Sequence, residues 1–320
     1  LSGEDHLKVA SWDPLWTNHS PVSERLVGID VGGTKMLAVA IDRSRPSEVL
    51  MNCSRPTPPT AKGLVEALCD LAREVELDHC LGVGLAGLVA DGEVLRAAPN
   101  LQCMIDVPVR SLLIEELGCS VAIDNDATCA LAAEMTVGVA RGIDDVALVT
   151  LGTGIGGGVA IDGSVRRGAH GFAGEPGHMC VNPIGPRCVC GRNGCWERYA
   201  SGAGLVWLAQ QHQVNTDHNG QAITGEALAV MARSGDTGAL EVWAEFADWL
   251  ALGLANLADV LDPELFVVGG GLVDVADLYI DRTRERFVES VLGGRARTRT
   301  RIEPALSGSS AGAIGAALLN

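Results

Sequence analysis

Aromatic residues are scarce in this chain, 4% of its 320 residues, with only two tyrosines and four phenylalanines. Small aliphatic side chains must therefore fill most of any core. Positive charge is short as well: 24 Lys and Arg stand against 40 Asp and Glu, a formal charge of −16. Such a field repels phosphate backbones and sets nucleic acid aside as a partner. No apolar run is long enough to span a bilayer, and the N-terminus lacks a basic segment followed by an apolar one, so neither a membrane segment nor a secretory leader is read. Disulfide-like cysteine spacing is mostly absent too. Six of the ten cysteines (Cys53, Cys69, Cys80, Cys103, Cys119 and Cys129) stand singly in apolar or helical contexts, as buried reduced thiols do. The expectation is a soluble, cytoplasmic protein. What is abundant is glycine, 40 residues, which suits an α/β chain with many tight turns between strands and helices.

Residues 1–25 carry no sustained period and read as an N-terminal extension, docked through Trp12 or Trp16 if at all. From Leu26, "LVGIDVGGTKMLAVAID" reads as strand, glycine turn, strand. "VALVTLGTGIGGGVAID" repeats that plan with Leu26 falling on Val146 and Gly32 on Gly152, an offset of 120 residues. Two such units in successive halves predict two domains of like topology facing a shared cleft. Further strands are expected over 80–89, 118–126 and 263–273, helices over 226–234 and 239–261, and a small-residue C-terminal helix that must pack closely against something.

The D-x-G-G-T motif at Asp30–Thr34 puts glycines in a strand turn, where backbone N–H groups can approach phosphate oxygens, and Asp30 where a Mg²⁺-bound water needs an anion. An ordinary tight hairpin reads the same way. The second loop, "GTGIGGG" at 152–158, has the same chemistry through Thr153 and its glycines. A strand and not a helix follows it, which excludes both the lysine-containing phosphate loop and the dinucleotide fingerprint. Together the two loops could clamp a polyphosphate, and "GGGL" at 269–272 could approach a nucleoside or simply turn the chain. "DNDA" at 124–127 ends an apolar strand at a helix start. Its polar residues are either helix caps or a general base with a hydroxyl-binding Asn125 beside it.

"GEPGHMCVNPIGPRCVCGRNGCWE" gathers His178, Cys188, Cys190 and Cys195 among glycines and prolines. Three thiolates and an imidazole suit tetrahedral Zn²⁺ in a closed structural site, because no coordination position is left open for catalysis. Cys180 looks like a strand residue and is left out.

Taken in order, "IDVGGTK", "NDA", "GTGIGGG", "GEPGH", "CVCGRNGCWE" and "GGG" resemble the ROK family of bacterial sugar kinases over residues 26–320, most nearly its ATP-dependent glucokinases. The resemblance implies a two-domain, actin-like ATPase fold of the ribonuclease H type, with sugar and ATP in a deep interdomain cleft. Residues 26–124 would form a small domain completed by a helix over 308–320, and residues 125–307 a large one carrying the zinc loop. It implies Asp126 as catalytic base in contact with the sugar, and Gly87, Asn100, Asn125, Glu175, His178 and Glu197 as partners of the sugar hydroxyls. ATP and Mg²⁺ would be held by Asp30, Gly32, Gly33, Thr34, Lys35, Gly152, Thr153, Gly154, Gly156, Gly270 and Gly271. The implied reaction is phosphorylation of a hexose 6-hydroxyl, glucose first, by a homo-oligomer (dimer or tetramer). Kinases for N-acetylmannosamine, N-acetylglucosamine, fructose or a cyclitol stand as alternatives. The chain departs from the glucokinase pattern after "PNL", where Gln102, Cys103 and Met104 replace a usual Trp. Leu88 follows Gly87 where some N-acetyl sugar kinases have Arg. "VGGTK" is not the longer first loop of polyphosphate-using relatives. The family's repressors set a helix-turn-helix of several dozen residues ahead of the kinase-like part; 25 residues and strong negative charge favour the enzyme.

Overall fold

The computed structural model describes residues 25–98, 101–294, 296–297 and 299–320. The segment read as an extension, with Trp12 and Trp16, and the expected sugar ligand Asn100 lie outside the described residues.

The first hairpin, β1 (Arg25–Val31) and β2 (Lys35–Asp42), is apolar and buried on both faces, as strands at the centre of a covered sheet are. The chain continues through β3 (Arg45–Pro56) and α1 (Ala61–Glu74). Thr60 caps α1 by accepting from Gly63 N, and Leu64, Leu68, Leu71 and Ala72 line its buried face. β4 (Cys80–Leu85) then ends sooner than its sequence promised. Gly87, at φ +140°, bends the chain into a separate small hairpin, β5 (Leu88–Ala90) and β6 (Val94–Ala97). After α2 (Val109–Leu117) and β7 (Ser120–Asn125), α3 (Asp126–Val137) begins without a linker. The sheet order is β3-β2-β1-β4-β7, with β1, β4 and β7 parallel.

The second half repeats this plan. β8 (Val146–Leu151) and β9 (Ile155–Ile161) form the duplicated hairpin and β10 (Ser164–Val165) extends it. α4 (Gly202–Gln211), α5 (Gly225–Arg233) and α6 (Thr237–Leu261) precede β11 (Leu265–Gly269); α7 (Ile280–Ser290), β12 (Arg301–Pro304) and α8 (Ala311–Ala317) close the fold. The sheet order is β10-β9-β8-β11-β12, and β8, β11 and β12 run parallel. In each sheet the hairpin is antiparallel and its first strand starts the parallel set.

Most of the aromatics among the described residues gather beside the second sheet. Trp243, Phe246 and Tyr279 pack ring on ring, and Phe266 meets Phe287 edge to face. The core over α1 and α2 is aliphatic. A third core unites the halves, with Leu26 and Val39 of the first sheet, Leu148 and Val267 of the second, and Ala127, Leu131, Ala313 and Ile314 of α3 and α8 between them. The C-terminal helix finds its close partner here. A Cβ on Gly82 would lie 1.7 Å from Ala316 O, and one on Gly315 would lie 1.7 Å from Cys129 O. Small residues let the backbones of α8, β4 and α3 touch, while parallel pairing on either side of β4 sets the carboxyl ends of β1 and β7 at one edge of the sheet.

Candidate active site

The junction of β7 and α3 divides three polar residues among three tasks. Asn125 caps α3, its Oδ1 accepting from Thr128 N at 3.0 Å, while its Nδ2 donates to Gly87 O at 3.0 Å. Asp124 is buried; its Oδ1 accepts from Asn125 N at 2.9 Å and its Oδ2 from Arg167 Nε at 2.7 Å. Among the described residues Asp126 engages the start of its own helix, Oδ1 accepting from Ala127 N at 2.8 Å. Burial pushes its carboxyl above the ordinary range, against the hydrogen bonds from Ala127, its own N–H and Asn125.

Asp30, on β1 across from this junction, is raised to about 7, by burial first and then by the charge of Asp126. Its carboxyl rests on α8, where a Cβ at Gly312 would lie 2.7 Å from Asp30 Cγ. Glu175 is also raised to about 7, by burial and then by Asp126 and Glu197. Four carboxylates from distant parts of the sequence, Asp30, Asp126, Glu175 and Glu197, are thus near enough for their charges to act on one another. Two are held partly protonated at neutral pH, a state expected of groups awaiting a cation or a hydroxyl donor.

Glu175 and His178 flank a 3-10 turn, Pro176–His178, whose Pro176 packs on Gly157 of β9. Glu197 follows Trp196, which is fully buried and pinned to α6: its Nε1 donates to Trp249 O at 2.8 Å, and its ring fills the space a side chain on Gly253 would need. Between them runs the cysteine loop. His178, Cys188, Cys190 and Cys195 present ligand atoms all within 4.8 Å of one another. Cys190 Sγ lies 3.5 Å from Cys195 Sγ, and Cys188 Sγ lies 3.7 Å from His178 Nδ1. A tetrahedral zinc with Zn–S of about 2.3 Å holds its sulfurs about 3.8 Å apart, so the set fits that ion. Cys180 is exposed and donates toward Asn193 O, apart from the cluster, as its sequence context indicated. Glu197 also touches the cluster, with Oε1 3.0 Å from Cys188 Sγ and 3.7 Å from His178 Nδ1. A cleft of about 750 Å³ opens beside Glu175 and His178, with Gly87, Leu88, Phe172 and Met179 on its walls.

Each glycine turn closes with a backbone bond, though not the same one: Gly32 N donates to Lys35 O, three residues on, at 3.0 Å, and Gly152 N donates to Gly154 O, two residues on, at 3.0 Å. Gly33, Thr34 and Lys35 are exposed at the first tip, which Thr57 braces through Gly32 O and Thr34 O. The second tip is tied to α4, Gly202 N donating to Gly152 O at 2.8 Å and Ala203 N to Thr153 O at 3.4 Å. Its glycines differ in purpose. A Cβ on Gly152 meets nothing within 4 Å, whereas one on Gly154 would lie 2.5 Å from Glu197 Oε2. Gly156 sits inside β9 against Thr150 Oγ1 and Ala127 Cβ, so packing on α3 already demands it. Gly270, at φ +82°, lies against the backbone of Leu151, while Gly271 faces open space.

Sequence reasoning missed Arg167. Its partner stands 43 positions earlier in the chain, and its one signal was a basic residue opening a glycine-rich stretch of an acidic protein.

The ROK family profile matches residues 26–320, so the chain belongs to the ROK family. The glucokinase of Streptomyces coelicolor is 36% identical over 306 residues, covering 91% of this chain and 96% of that protein. An N-acetyl-D-glucosamine kinase of Pectobacterium atrosepticum is 32% identical over 318 residues, covering 92% and 98%. The crystal structure of a ROK family glucokinase from Streptomyces griseus, in complex with glucose and AMPPNP, matches with a TM-score of 0.83 at 37% identity, covering 92% of this chain and 98% of that one. The α/β fold is that of the ROK kinases.

Proposed function

We propose that this chain is an ATP-dependent sugar kinase that transfers the γ-phosphoryl group to the 6-hydroxyl of glucose. The observation that carries the reading is Asp126. It is a carboxylate of raised pKa at a helix start, with no ion pair among the described residues, close enough to Asp30 and Glu175 for its charge to act on both. Glucokinase relatives at 36% and 37% identity set the acceptor and the donor.

In this reading Asp126 accepts the proton of the attacking hydroxyl, while Asn125, Glu175, His178 and Glu197, with Gly87 and Asn100, hold the other hydroxyls. An analogue lacking one of those hydroxyls leaves a buried carboxyl unpaired, which is how such a site discriminates. The turns at 32–35 and 152–154, with Gly270 and Gly271, receive the nucleotide through backbone N–H groups that need no reorganisation. Asp30, half-buried and with no cation partner among the described residues, fits the neighbourhood of Mg²⁺, which would supply charge neutralisation at the phosphates. The His178, Cys188, Cys190 and Cys195 set fits Zn²⁺, which would lend its loop shape and take no part in the reaction. That thiolate set suits the reducing cytosol. We further infer that the sheets centre two actin-like domains, 26–124 with 308–320, and 125–307, in a homo-oligomer.

An assay coupled to ADP release, run with glucose, N-acetylglucosamine, N-acetylmannosamine and fructose, tests the assignment. The highest kcat/KM is expected for glucose; a higher value for an N-acetyl sugar would move the chain to the alternative its Pectobacterium relative represents.

A further inference from the structure

The segment that leaves β10 runs from the second sheet to the first before it reaches Glu175. Arg167 meets Asp124 of β7 with two nitrogens on one carboxylate oxygen, Nε and Nη2 each at 2.7 Å. Four residues on, Gly171 at φ +77° lies so close to β5 that a Cβ would stand 2.5 Å from Val89 O. The segment is also folded on itself, Ala173 N donating to Arg167 O at 3.0 Å, which links the arginine to the approach to Glu175. On the far side, the second oxygen of Asp124 holds the backbone N–H of Asn125, one residue before Asp126.

We infer that the Arg167–Asp124 pair is a clasp that positions the β7 end bearing Asn125 and Asp126 against the loop ending in Glu175. This rests on the kinase reading above and adds a positioning residue to it. Burial gives the clasp its leverage. The Asp124 side chain is only 10% exposed, and a buried carboxylate stripped of its partner is strongly destabilised. Charge adds to it. Among the described residues, Arg167 is the one arginine or lysine in an ion pair with the group Asp30, Asp124, Asp126, Glu175 and Glu197.

Three variants test the clasp: Arg167→Gln, Arg167→Lys, and Arg167→Gln combined with Asp124→Asn. Misplacement of reacting groups by about 1 Å commonly lowers rates by about 100-fold, so Arg167→Gln is expected to reduce kcat by about 10- to 100-fold. KM for glucose should rise several-fold while KM for ATP moves less than about twofold, since the donor turns are tied elsewhere. Arg167→Lys keeps a cation at the same oxygen and should recover most of the lost kcat. The double variant removes the unpaired charge, so it should recover thermal stability but not kcat. That separation marks positioning, and the double variant carries the test if Arg167→Gln alone does not fold. A kcat within twofold of wild type in Arg167→Gln, or full recovery of kcat in the double variant, would overturn the inference and leave an ion pair that only stabilises. A wild-type chain that phosphorylates no hexose would overturn the kinase reading, and the clasp's role in it with it.

Discussion

At the scale of single residues, the site sacrifices stability for chemistry. The Glu175 carboxyl has an ordinary pKa of 4.5 and is raised to about 7 in the folded chain. Between those values the folded state holds more protons than the unfolded one, so this group's contribution to stability falls as pH rises from 4.5 to about 7. Glu175→Gln removes the charge and keeps the shape. Free of ligand, the variant should therefore melt higher than wild type at pH 8, and the difference should shrink toward zero at pH 5. Paired thermal melts across that range check the sign, and an advantage that grows on acidification would contradict it. The residues of the site were unequally legible. "DNDA" pointed to a strand end at a helix start, but three adjacent polar letters could not say that Asn125 caps, Asp124 pairs with an arginine and Asp126 has no ion pair among the described residues. That division depends on Arg167 and Gly87, which only the folded chain brings near.

At the scale of elements, the glycine turns and the cysteine loop make different predictions. Gly152 faces open space with a backbone that L residues adopt, so Gly152→Val projects a side chain where the phosphates are expected. KM for ATP should rise at least about tenfold, given how closely backbone N–H groups must approach an anion, while calorimetry finds glucose binding retained. Unchanged ATP kinetics would remove this turn from the donor site. Gly154 is a poorer probe, because a side chain there would strike Glu197 and disturb both substrates at once.

Cys190→Ser should lose the metal and lower the melting temperature with most of the fold intact, because Trp196 remains anchored on α6. Glucose affinity should fall, since Glu175 and Glu197 border the loop. The segment from Glu197 to Gly202 is tied to the donor turn through Gly202 N and Gly152 O, so ATP affinity should fall as well, though less. Elemental analysis and calorimetry on wild type and variant check this; a wild-type protein without zinc, or a metal-free variant with normal glucose affinity, would contradict it. The hairpins and the metal cluster were legible because each is local, a strand period broken by glycines or ligands a few residues apart. β3, α1, α2, α4 and α7 escaped notice. Their patterns are those of any amphipathic element, and only packing on a sheet gives them a place. β4 and β5 were read as one strand because nothing in "GLAGLV" announces that Gly87 adopts φ +140°.

At the scale of the whole molecule, two sheets of one plan are joined by α3 and α8, and the carboxyl ends of their parallel strands meet where the carboxylates gather. Duplication was visible in the constant offset of the hairpins, but the join was not. It depends on small residues in α8 that let backbones touch across almost 300 residues of sequence. We propose that this meeting point is a phosphotransfer site with Asp126 as its base. Asp126→Asn measures it most directly, because the amide keeps the size and hydrogen-bonding capacity of the carboxyl but accepts no proton at neutral pH. Loss of a general base commonly lowers rates by about 10²- to 10⁴-fold, and kcat for glucose phosphorylation should fall in that range while the calorimetric Kd for glucose changes by no more than about threefold. A kcat within a few-fold of wild type in a variant that still binds glucose would rule out Asp126 as the base.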